Sequence, residues 1–157
     1  MSDKIGARAF YIMLDAIKDT LLNDQDINTV TYGDLSEVDL GKQTIFPLAH
    51  IVINGAQNTG STMVFNVTVL CLDIVDISKE PQVDPFIKYQ SEHNILNTQL
   101  AVTNRLFQKF YQGNLRTNGY AIDEFANCEP VIDKFENQLA GWSITFDFII
   151  RNDLYIC

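Results

Sequence analysis

The chain has 157 residues, a 46% hydrophobic fraction and a formal net charge of −9, with 20 acids against 11 bases. That length buries one real core without disulfides or a metal, the hydrophobic fraction argues against disorder, and the acid excess argues against a grip on nucleic acid, which needs a basic face. The apolar runs are broken well short of the ~20 residues of a bilayer span, and MSDKIGARAF lacks the pattern of a secretory signal, so folding in a cytosol with no membrane partner is expected.

Residues 3–22 place Ile5, Ala9, Ile12, Met13, Ala16 and Ile17 at spacings of three and four, with Ser2 or Asp3 as N-cap, and predict an amphipathic helix. The polar cluster 23–26 ends it, and β-branched residues over 27–32 predict a short strand. The segment YGDLSEVDLGKQT has two glycines, three acids and no sustained period, and reads as a loop. A strand pattern resumes over 45–53, with Pro47 near its start, where the missing N–H is tolerated at a rim. Asn54-Gly55 and Gly60 then predict a hairpin connection between antiparallel neighbours. Residues 61–78 hold the central strand. Met63, Phe65, Val67, Val69 and Cys71 share one face and Val64, Leu70, Leu72 and Ile74 the other, which predicts cover on both sides.

The polar, proline-containing SKEPQVDP is a surface crossover. A second helix starts at Asp84-Pro85 or at Ser91. It carries a stripe of Ile95, Leu96, Gln99, Leu100, Thr103, Leu106, Phe107, Phe110 and Tyr111 toward Gly113, its aromatic end aimed at the core. Residues 120–125 and 129–135 are short candidate strands, and 139–151 a long one in which Trp142, Ile144, Phe146, Phe148 and Ile150 alternate with Ser143, Thr145 and Asp147. No repeat or linker divides the chain. The expected fold is a single α+β domain, a mostly antiparallel sheet with a long central hairpin and two main flanking helices.

Catalytic signals are sparse. Gly55 to Ser61 reads G-x-x-x-x-G-S, but it lacks the lysine of a phosphate loop and precedes a strand, so the hairpin reading is preferred. His50 and His93 have no second ligand at helical or strand spacing, and His50 reads as a hydrogen-bonded, partly buried strand residue. Cys71, Cys128 and Cys157 are odd in number and far apart, which fits reduced thiols better than a disulfide framework or a zinc site. Asp73 with Asp76, Asp123 with Glu124, and Asp133 with Glu136 read as solvated acidic faces. Trp142 shares its alternation with Ile144 and Phe146 and reads as core. Ser61, Ser78 and Ser91 lie in turn-like or capping surroundings, where no nucleophile elbow forms. Neither a metal nor a cofactor is expected.

The order of elements, with Ile45-Phe46-Pro47-Leu48 leading into the hairpin and a last strand over 141–150, resembles the bacteriophage tail terminator and tail-completion proteins, including the neck ring proteins between portal and tail. The resemblance spans essentially the whole chain and carries no signature motif. The run CLDIVD from Cys71 to Asp76 and the ending NDLYIC are similar to small virion proteins of crAss-like and related tailed phages. What it implies is a non-enzymatic virion subunit, joined to copies of itself in a ring at the head-tail junction. Portal (connector) and tail proteins would be its partners, and DNA would pass through without tight binding. On that reading Asp34, Glu37, Asp39, Asp73 and Asp76 are candidates to face the channel, where acids repel a passing polyanion. Leu35, Val38 and Leu40 are candidates for a clip onto a neighbouring subunit. The crossover 78–91 and the region 114–135 are longer than a minimal terminator needs, which keeps a tail-tube or adaptor role open. A small cytosolic ligand-binding or regulatory α+β module is the alternative of a different class.

Overall fold

The computed structural model describes residues 7–34, 45–75, 90–112, 120–123, 125–132 and 139–151. Along them run α1 (Ala7–Leu22), β1 (Thr29–Tyr32), β2 (Leu48–Asn58), β3 (Thr62–Ile74), α2 (Gln90–Tyr111), β4 (Tyr120–Ile122), β5 (Asn127–Ile132) and β6 (Leu139–Arg151). The described strands form one sheet in the order β1-β2-β3-β6-β4, with β5 also on β6. Only β1 and β2 pair in parallel; every other pairing is antiparallel. The α+β class expected from the sequence is the one observed.

The sheet is built outward from β3 and β6, whose thirteen residues each pair without a shift, from Thr62 opposite Arg151 to Ile74 opposite Leu139. Period-two alternation explains this fit, because a slip of one residue would turn Phe146 and Phe148 out to water. The close approach has a specific requirement at Gly141. A Cβ there would lie 1.8 Å from the carbonyl oxygen of Cys71, so only glycine lets β6 lie flat against β3.

Both helices cover the same face. Phe65, Val67, Val69 and Cys71 of β3 and Ile144, Phe146, Phe148 and Ile150 of β6 are buried with Ala9, Met13, Ile17 and Leu21 of α1 and Val102, Leu106 and Phe110 of α2. Each large side chain so buried contributes roughly 1.5–3 kcal/mol of transfer free energy. A salt bridge fastens α2 to the connection between α1 and β1. Arg105 of α2 donates from Nε and Nη2 to the two carboxylate oxygens of Asp24 at 2.8 Å, and from Nη2 to Asp26 at 2.7 Å.

Several expectations need correction. The second face of β3 is covered only at one end, where Leu72 packs with Phe46, Leu48, Val131 and Leu139. Further along, Asn66 and Thr68 interrupt the apolar pattern and hold hydrogen bonds instead. Asn54-Gly55 does not turn the chain. β2 runs on to Asn58 through a bulge between Ile53 and Gly55, and the reversal occurs at 59–61 with Gly60 at φ 89°. The bulge is held by the Asn54 side chain, whose Nδ2 donates across to Asn66 Oδ1 and Thr68 Oγ1, both at 2.8 Å.

The aromatic end of α2 divides as well. Phe110 enters the core, whereas Leu100 and Tyr111 are exposed and Phe107 stacks on Tyr111 at 5.4 Å. Residues 100, 107 and 111 lie at the margin of the stripe formed by 95, 99, 102, 103, 106 and 110, so helix geometry turns them aside. The Asp84-Pro85 helix start and the crossover lie outside the described residues.

Candidate functional site

Of the acids expected to face a channel, two are described. Asp34 is exposed just beyond β1. Asp73 is half-buried on the register of β3 that faces the helices, opposite Ala140, and burial pushes its carboxyl above the usual range although the Ile74 N–H donates to it at 2.8 Å. The two sit on strands separated by β2 and toward opposite ends of it, and the structure does not bring them together. Glu37, Asp39, Asp76, Leu35, Val38 and Leu40 lie outside the described residues, as do Glu124, Asp133 and Glu136.

The other sequence candidates fall into structural roles. The indole N–H of Trp142 donates to the Leu96 carbonyl at 2.8 Å, tying β6 to α2; the residue lies on the helix side with Ile144 but is half-buried there rather than part of the core. The G-x-x-x-x-G-S segment occupies the end of β2 and the turn after it, where no helix N-terminus points at a ligand. Cys71 and Cys128 are free; Cys71 is fully buried and its thiol is pushed up to about 12 by burial, which leaves it inert as a nucleophile at neutral pH. Among the described residues no group of three or more His, Cys, Asp and Glu is placed to hold a metal ion.

His50 is fully buried in β2, beside the β1 edge. Its Nε2 lies 2.9 Å from the Gly33 carbonyl, and because a carbonyl only accepts, Nε2 carries the proton. In the neutral ring Nδ1 then accepts from the Thr31 hydroxyl at 2.7 Å. Burial holds the pKa below its usual value against the opposing pull of the Gly33 carbonyl and the Asp34 charge. With both nitrogens committed, this imidazole is a brace between β2 and the end of β1, and its position explains a histidine inside the apolar first half of β2.

Two surfaces remain. On the face away from the helices a polar row crosses three strands: Asn54 to Asn66 and Thr68, the Thr68 and Thr145 hydroxyls to each other at 2.9 Å, and Asn66 Nδ2 to Asp147 Oδ1 at 2.9 Å. These groups satisfy one another and present amides, hydroxyls and one carboxylate to solvent. On the helix side, a groove of about 580 Å3 opens between α2 and the β5 edge, lined by Leu100, Thr103, Asn104, Phe107 and Phe125 among others. Phe125, in the connection from β4 to β5, is 83% exposed.

Sequence reasoning missed this groove because it joins residues some twenty positions apart in the chain; an unpaired Phe in a polar connection was the one available signal. No protein-family model matches the chain, and no curated protein matches it.

Proposed function

We propose that the chain is a non-enzymatic structural subunit of a tailed-phage virion, forming a homo-oligomeric ring at the head-tail junction and lining the path of the DNA. The observation that carries this reading is the one-sided sheet: both helices lie on one face, and the middle of the opposite face of β2, β3 and β6, beyond the apolar cluster around Leu72, carries a mutually hydrogen-bonded polar row. A wall of this kind offers Asn54, Asn66, Thr68, Thr145 and Asp147 to water and no cation among them, so it suits passage of a polyanion better than capture of one. The order of elements supports the same reading through its resemblance to tail terminators. Asp34, Glu37, Asp39 and Asp76 remain the channel-facing candidates, while Asp73, turned to the helix side of β3, does not fit a channel on the opposite face; Leu35, Val38 and Leu40 remain the clip toward a neighbouring ring.

The test is assembly. Purified chain, alone and mixed with portal and tail proteins of a tailed phage, is followed by light scattering and negative-stain electron microscopy. Rings seated on the portal or the tail end are expected. A chain that stays indifferent to both components at high concentration would rule the reading out.

A further inference from the structure

β4 and β5 pair with the same edge of β6 but do not follow one another in register: Ile122 stands opposite Phe148 and Asn127 opposite Thr145. Four positions of the outer chain, 123–126, therefore pass only two of β6, and the surplus bows the chain away from the sheet edge, an irregularity of the kind that re-aims side chains at functional sites. The Asp123 N–H still reaches the Asp147 carbonyl at 3.4 Å, while Phe125 is turned out into solvent. Beside it, at the end of the polar row, a second groove of about 580 Å3 is lined by Asn66, Asp123, Phe125, Asn127, Thr145 and Asp147.

We propose that this groove takes an arginine side chain from a partner protein, its guanidinium held by the carboxylates of Asp123 and Asp147 and stacked on the ring of Phe125. The lining carries two carboxylates and no Lys, Arg or His, in a chain of net charge −9, so the groove attracts cations and rejects anions. Phe125 then selects among cations. A compact ammonium or a metal ion holds its water strongly and gains little from a ring, and among the described residues no third carboxylate, His or Cys completes a ligand set for a metal. A guanidinium is planar and weakly hydrated, stacks on aromatic faces and pairs with carboxylates. The other side chains suit its N–H groups: the Thr145 hydroxyl and the Asn127 amide offer acceptor oxygens. Asp147 accepts from Asn66 Nδ2 at 2.9 Å through Oδ1, one of about four acceptor sites on a carboxylate. A protein is the source because Phe125 also lines the apolar groove beside α2, with Leu100 and Phe107, and a chain segment that carries the arginine covers the ring from both sides. The assignment concerns the β4 and β5 end of the polar row and does not rest on the ring proposed above.

The experiment is an NMR titration of the isotope-labelled full-length chain with the blocked tripeptide acetyl-Leu-Arg-Leu-amide. Its citrulline counterpart, which keeps the shape and loses the charge, and its lysine counterpart are the controls. The arginine peptide should bind saturably and move the backbone amides of Phe125, Asn127, Thr145 and Asp147. Binding should be about tenfold weaker with citrulline and about threefold weaker with lysine. Phe125→Ala should weaken the arginine peptide about threefold and Asp147→Asn about tenfold, each in a variant that thermal melting shows to be folded. Equal binding of the arginine and citrulline peptides to the unaltered chain overturns the assignment without any variant. So do shifts scattered over the whole acidic surface, or calcium chloride moving these amides where the arginine peptide does not, which would mark a bare cation site. The neck assignment is read separately, by assembly with portal and tail proteins, and its failure leaves a groove that binds arginine standing.

Discussion

On the helix side of β3, Phe65, Val67, Val69 and Cys71 are buried against two helices, whereas one residue along the same strand Asn66 and Thr68 exchange hydrogen bonds with their neighbours on the opposite face. The two faces share a backbone and differ in what holds them. Close packing secures the first, where a deleted ring leaves a hole that the surrounding atoms fill only in part. The second is secured by polar side chains that water can replace, so its residues can change with little consequence for the fold.

The sharpest way to break the comparison is a matched pair on β6. Phe148 is fully buried between Phe110 and Tyr120, with ring centroids at 5.4 Å from each. Phe148→Ala should cost about 3–5 kcal/mol in urea unfolding, through lost transfer energy and the cavity left behind. Thr145→Val, three residues away on the open face, removes one hydroxyl bond from a half-exposed site and should cost about 0.5–1 kcal/mol. Comparable losses in the two variants would show that the open face is packed against something as tightly as the helix face.

His50 is the exception on the open face, a polar group buried as deeply as the core. His50→Phe strands the Gly33 carbonyl and the Thr31 hydroxyl and should cost about 1–3 kcal/mol. The pH dependence has a definite sign. The folded pKa is lowered from 6.5, so the unfolded chain binds the proton more readily; the stability linked to this group is complete above about pH 6.5 and is lost as pH falls through and below it. Unfolding midpoints of the two proteins measured from pH 8 to pH 5.5 should diverge at high pH and converge as the pH falls. A constant gap across that range would mean that His50 does not carry the linkage.

The smallest effect is expected in the other direction. Gln99 lies on the buried stripe of α2 with 0% exposure, and neither its amide nitrogen nor its amide oxygen has a partner. An unpaired buried amide is costly, so Gln99→Leu, of similar length and free of polar atoms, should stabilise the chain by about 1 kcal/mol. A clear loss of stability on this substitution would show that the amide is satisfied in solution by a bound water or another polar group.

Much of the architecture was legible in the residues themselves. Alternation over 139–151 marks β6 to the residue, because one buried and one open face leave a period of two in the sequence. The four-residue spacing of Ala9, Met13, Ile17 and Leu21 likewise marks the buried side of α1. Asn54-Gly55 was misleading for a physical reason: the residues that favour a tight turn also favour a bulge, and only the partners Asn66 and Thr68, supplied by the next strand, decide between them. The expected channel acids were legible only as charge, since nothing local distinguishes exposed Asp34 from half-buried Asp73.

By itself, then, the sequence determined the α+β class, the central antiparallel hairpin, the two helices and the burial of Cys71, because each of these follows from local periodicity and from the cost of exposing apolar surface, whereas Trp142, read as core, is only half-buried where it meets α2. Tertiary structure alone decided that both helices lie on one face and that β5 shares an edge with β4. It also decided that His50 closes on Gly33, and that Phe125 stands beside α2 while Tyr11 and Tyr32 stand at the other edge. Those placements depend on pairings between residues far apart in the chain, where many partners satisfy the same local pattern and only the packing of the whole sheet selects one.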